Sequence, residues 1–124
     1  LLKMKFNNNF KYDLKVGQVA EQALADILEN KTIEVKRDLK AKTTGNVFVE
    51  FESRGKPSGI DKSEADFWCF ALEDRYVILS AEELKKLVEP LKGTKREKRG
   101  GDSNTSKGVL IKTHELITHT THNE

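Results

Sequence analysis

TIEVKRDLKAKTTGNVFVEFE, residues 32–52, holds two runs that alternate apolar and charged side chains around a short polar break. Residues two apart on a strand share a face. Ile33 and Val35 therefore point one way, with Glu34, Lys36 and Asp38 on the other. In the second run Val47, Val49 and Phe51 share a face, opposite Phe48, Glu50 and Glu52. Thr44-Gly45-Asn46 supplies turn chemistry between them. The pattern predicts two strands, about 32–38 and 46–53, that turn apolar faces to a core and gather four carboxylates and a lysine on the other side. A hairpin with one solvated face gives the same alternation, so the surrounding chain must decide what the acidic face is for.

The 124 residues suit one domain with a real core. Charged residues make up 34% and hydrophobic ones 36%, with a net charge of +2. That balance neither demands nor excludes nucleic acid, so the placement of charge matters more than its sum. The single cysteine, Cys69, sits in the apolar run FWCFAL and reads as a buried, reduced thiol of a cytoplasmic protein. No apolar stretch reaches the length of a membrane span or signal-peptide core, so the expectation is a soluble chain with no membrane partner.

Residues 14–29 carry an apolar stripe of Val16, Val19, Ala20, Ala23, Leu24 and Ile27 at helical spacing, with Asp13 as N-cap and Glu21 at the stripe's edge. SRGKPSGIDKSEADFW (53–68) reads as a loop with one helical turn near Ser63. WCFALE and RYVILS read as strands around Glu73-Asp74, followed by a helix over 81–89 capped by Ser80 and ended by Pro90. A basic loop follows, with VLIK as a last short strand. Residues 1–12 and 113–124 read as loosely ordered ends of a single domain. The element order predicts a mixed α/β fold around one sheet.

A helix packed across that sheet brings Glu21 to Asp38, Glu50 and Glu52. Two carboxylates about 4 Å apart repel by roughly 4 kcal/mol at an effective dielectric near 20. Such a cluster spreads into solvent, takes up protons or binds a cation, and hard oxygen ligands suit Mg²⁺ or Mn²⁺.

Gly17-x-x-x-Glu21 on a helix, Asp38 at a strand's end and Glu50 twelve residues later resemble the PD-(D/E)XK nucleases, a group that includes restriction enzymes, Holliday-junction resolvases and phage exonucleases. VFVEFESRGKPSGI, EADFW and GGDSNTSKG look like small phage-type or junction-resolving members, and the resemblance covers roughly residues 14–112. It implies a restriction-endonuclease-like mixed central sheet flanked by helices, and a Mg²⁺- or Mn²⁺-dependent DNA endonuclease from a phage or its bacterial host. Glu21, Asp38 and Glu50 would hold the metal, and two subunits would cut the two strands of a duplex as a homodimer. The pattern departs from the family at position 52, where glutamate stands in place of lysine. Lys36, two residues before Asp38, is then the candidate catalytic lysine, and Glu52 a supporting or merely wet carboxylate.

Arg54 and Lys56 leave the second strand near this cluster. The run Lys92–Arg99 carries five basic residues against one acid, Glu97. Arg54, Lys56, Lys95, Arg96, Lys98, Arg99 and Lys107 are the candidate DNA-phosphate contacts. Phe67, Trp68 and Phe70 belong to a core, and His114, His119 and His122 lack metal-site spacing. Two other functions remain open: a DNA binder of the same fold that does not cut, and a protein-interaction domain whose acidic face is only solvated.

Overall fold

The computed structural model describes residues 11–15, 29–38, 40–73 and 75–117. Among these residues eight strands form two four-stranded sheets. In the first, β1 (Lys11–Lys15), β6 (Arg75–Ser80), β5 (Phe67–Ala71) and β2 (Ile33–Arg37) lie in the order β1-β6-β5-β2. In the second, β4 (Lys56–Pro57), β3 (Asn46–Ser53), β8 (Ser106–Lys112) and β7 (Glu97–Gly100) lie in the order β4-β3-β8-β7. All neighbours are antiparallel except β2 and β5. The class is mixed α/β, but the single central sheet expected from the sequence is replaced by two.

The alternation in β3 holds: Val47, Val49 and Phe51 are buried. They meet Val109 and Ile111 of β8, Trp68 and Phe70 of β5, and Val77 and Leu79 of β6 in one core cluster. Phe67, Cys69 and Ile78 occupy the opposite face of the first sheet and are buried too. Strands covered on both faces read as continuous apolar runs, which is why FWCFA and YVIL show no alternation.

The segment 32–52 does not form the expected hairpin. β2 pairs with β5 in parallel, Ile33 opposite Phe67, while β3 pairs with β8. Between them the chain makes one helical turn, α1 (Ala41–Thr44), which buries Ala41 and ends at Gly45 with φ 73°. Alternation dictates which face of a strand is buried but not which strand lies beside it. The inward placement of Val35 also fails, because β2 is an edge strand and Val35 is 57% exposed.

Leu14 and Lys15, assigned to a helix by their sequence, belong to β1; residues 16–28 lie outside the described residues. The hairpin around Glu73 forms as expected. Ser80 caps α2 (Ala81–Val88), its Oγ accepting from the Glu83 N–H at 3.1 Å. The turn expected near Ser63 is a 3₁₀ turn at Gly59–Asp61. Part of the basic loop is strand β7. Residue 113, expected to begin a loose tail, instead begins α3 (Thr113–Ile117), whose Leu116 is fully buried. One turn has little stability of its own; burying that side chain contributes roughly 1.5–3 kcal/mol.

Candidate functional site

Although β2 and β3 belong to different sheets, their charged faces meet. Glu34 and Lys36 from β2 and Phe48 and Glu50 from β3 line one cleft of about 450 Å³, with Trp68, Gly59, Lys62 and Ser63 completing its wall. The polar faces of the two strands thus meet across a gap between sheets rather than along one.

Glu50 is the best-supported group in the cleft. Its Oε2 accepts from the Ser58 hydroxyl at 2.8 Å. Ser58 is itself fixed by its N–H, which donates to the Phe51 carbonyl at 3.0 Å. The next residue, Gly59, has φ 52°, and a Cβ there would collide with the Glu50 carbonyl. Only glycine lets the turn lie this close to the strand. Beside Glu50, the Phe48 ring covers Gly108 and Gly100; a Cβ on Gly108 would stand 2.5 Å from its Cζ. These glycines give the ring a flat bed on β8 and β7.

Lys36 Nζ lies 3.6 Å from Glu34 Oε2 and 5.6 Å from the Trp68 ring centroid. Both partners of the ion pair are about half exposed, so the pair holds Lys36 loosely. Trp68 is 2% exposed, and its Nε1 has no acceptor among the described residues.

Asp38 sits elsewhere. Its Oδ1 accepts from the Lys40 N–H at 2.9 Å and its Oδ2 from the Phe48 N–H at 3.2 Å. It thereby pins the crossing from β2 to β3 and borders a separate hollow with Arg37, Lys42 and Glu73. It reaches the cleft only through Phe48. Glu21 lies outside the described residues. Among the described residues no group of three or more His, Cys, Asp or Glu side chains is arranged to hold a metal ion. Glu52 follows a register shift in β3 and pairs with Lys107 at 3.4 Å.

The pairing of β3, β8 and β7 unites basic residues that are far apart in sequence. Arg99 lies opposite Lys107, Lys56 opposite Ser53, and the Arg54 N–H donates to the Thr105 carbonyl at 2.9 Å. Arg54 and Gly55 both take positive φ, which closes the tight two-residue turn between β3 and β4. Glu50, Gly108 and Lys98 form one cross-strand row, so Lys98 is two strands from Glu50, about 10 Å, with Gly108 and the Phe48 ring that covers it between them. Lys95 is exposed. Arg96 is engaged differently. Its guanidinium grips Glu115 at 2.7 and 3.4 Å and the Leu110 carbonyl at 3.3 Å, joining β7 to α3. Hydrogen bonding from Arg96 holds the Glu115 carboxyl below its ordinary range.

Lys92, counted in the same basic run, is also structural. It binds Asp61 at 2.7 Å and Glu89 at 3.0 Å and lies 4.7 Å from the Phe51 ring centroid. Asp66 accepts from the Thr32 N–H and hydroxyl, docking the start of β2 on β5. Burial pushes the Cys69 thiol up to about 11, which leaves it protonated and inert at neutral pH. Glu34, Ser58 and the Lys62–Ser63 segment were not singled out as site residues in the sequence. Of these only Glu34, two residues before Lys36 on the same face, carried a usable signal.

No family model, curated protein or solved structure matches the chain. No helix among the described residues is long and apolar enough to cross a membrane.

Proposed function

We propose that this protein is a divalent-cation-dependent DNA endonuclease of the PD-(D/E)XK type, with the cleft between β2 and β3 as its active site. The observation that carries the reading is the meeting of Lys36 and Glu50 in one cleft, although they come from different sheets. Lys98 lies in the same cross-strand row as Glu50, with Gly108 on the strand between them.

The donor chemistry fits Mg²⁺ or Mn²⁺, which take oxygen ligands and are commonly held by one or two carboxylates plus substrate phosphate. Ser58 holds one Glu50 oxygen, leaving Oε1 without a donor among the described residues. Asp38 borders a separate hollow and accepts one backbone N–H on each oxygen, so beside Glu50 the remaining oxygens would come from substrate phosphate and water. When bound, such an ion polarises the phosphate and activates water. Lys36, beside the Trp68 ring, would steady the negative charge that develops on the phosphate, and Ser58 orients Glu50. Arg54, Lys56, Lys95, Lys98, Arg99 and Lys107 would hold backbone phosphates, whereas Arg96 is committed to Glu115.

Incubation with Mg²⁺ or Mn²⁺ and linear, supercoiled, single-stranded and four-way-junction DNA tests the reading. Metal-dependent cleavage that disappears in Glu50→Gln supports it, and the preferred DNA identifies the substrate. A second reading, a DNA binder that does not cut, is favoured by Glu52, which occupies the family's lysine position and is tied to Lys107. Tight DNA binding without cleavage by the wild-type protein would select it.

A further inference from the structure

We propose that the open edge of β2 is a self-pairing surface whose partner is a second copy of this chain, joined strand to strand and antiparallel about Val35. Among the described residues β2 ends its sheet with one edge unpaired, and an open edge is a template for another strand. Val35, at 57% exposure, is the one large apolar side chain that stands out in solvent among the described residues.

The hydrogen-bond phase of the edge follows from its inner side. The Phe67 N–H donates to the Thr32 carbonyl at 3.0 Å, and Ile33 is in register with Phe67. Strand backbone groups alternate in direction, so Thr32, Glu34 and Lys36 turn theirs toward β5. Ile33, Val35 and Arg37 present theirs outward. An antiparallel mate centred on Val35 would exchange both bonds between the two Val35 residues and again between each Ile33 and the opposite Arg37. Glu34 and Lys36 then face their counterparts at the intervening non-hydrogen-bonded positions, where side chains approach most closely.

The charges fit only in this arrangement. Ile-Glu-Val-Lys-Arg (33–37) places an acid before Val35 and a base after it, so a two-fold axis through Val35 sets Glu34 of each copy against Lys36 of the other. Opposite charges directly across an antiparallel pair stabilise it, and like charges destabilise it. The weak Glu34–Lys36 contact within one chain, at 3.6 Å, would be exchanged for two contacts between chains. The contact is isologous and closes on itself as a dimer. Because Glu34 and Lys36 also line the cleft, both clefts would open on the same face of a continuous eight-stranded sheet. The pairing itself does not depend on what chemistry the cleft performs.

Sedimentation equilibrium of the full chain over rising concentration tests this. The expected mass climbs from 14.1 kDa toward twice that value. Glu34→Lys alone and Lys36→Glu alone should stay monomeric, because each sets like charges against each other across the two-fold. An equimolar mixture of the two variants should recover the dimer, because each strand then meets its opposite. Val35→Arg, at an exposed position, should also be monomeric, and circular dichroism should show all variants folded. Wild-type protein that remains monomeric, single variants that associate as well as wild type, or a mixture that fails to recover would each overturn the proposal.

Discussion

Glu50 is positioned by its neighbours more than by its own strand. Gly59 lies against its carbonyl and Ser58 bonds its carboxylate. Gly59→Ala should therefore disturb the cleft as well as the turn. A positive φ with a backbone collision is expected to destabilise the fold by roughly 1–3 kcal/mol, measured by denaturant unfolding, and to lower activity further than the stability loss explains. Gly45→Ala is the control: its φ is also positive, but nothing lies within 4 Å of the added Cβ. It should cost about 1–2 kcal/mol and leave activity per folded molecule unchanged. Lys36→Ala should slow cleavage by about a hundredfold, the scale for losing one transition-state donor, with the melting temperature almost unmoved because the side chain is half exposed. Wild-type rates in Lys36→Ala would move the catalytic role to Lys62 or Lys98.

At the scale of elements, the Arg96–Glu115 pair fastens α3 to β7 and β8. The folded-state pKa of Glu115 is depressed, so its contribution is present above the carboxylate's ordinary value and is lost as pH falls through the folded value. Melting temperatures of wild type and Glu115→Gln should therefore differ near neutral pH and converge in the acid range. A gap that persists in acid would assign the effect to packing. The pair was invisible in the sequence, where Arg96 stood in a basic run and Glu115 in a polar tail. Nineteen residues separate the two, and only the folding of 113–117 onto β8 brings them together. The local signals were legible: Ser80 as a cap, the hairpin around Glu73, the buried face of β3. Partner choice was not. The run Ile33–Arg37 looked like half of a hairpin because alternation describes a strand's two faces and says nothing of its edges.

For the whole molecule, the sequence indicated one sheet, whereas the described residues build two that share a core. Of the candidate site residues, Lys36 and Glu50 meet across the gap, with Glu34 beside them. Asp38, taken from its spacing as a ligand beside Glu50, instead spans the turn between the strands through two backbone N–H groups. Backbone acceptance of this kind cannot be read from residue spacing. The basic residues of β7 and β8 make a quantitative prediction for DNA binding. Ala substitution of Lys98, Arg99 and Lys107 together should weaken affinity. It should also flatten the slope of log affinity against log salt by about one unit for each phosphate-bound charge removed. Arg96→Ala should act through stability instead.

The proposal of a metal-dependent cleft is tested most directly by a paired cleavage and gel-shift assay on wild type and Glu50→Gln, with Mg²⁺ and with the metal chelated. Wild type is predicted to cut DNA only with metal. Glu50→Gln should bind at least as tightly and not cut, because removing the carboxylate eliminates a metal ligand and lessens repulsion toward phosphate. Cleavage by Glu50→Gln at the wild-type rate, or by wild type with the metal chelated, would contradict a metal-dependent active site in this cleft.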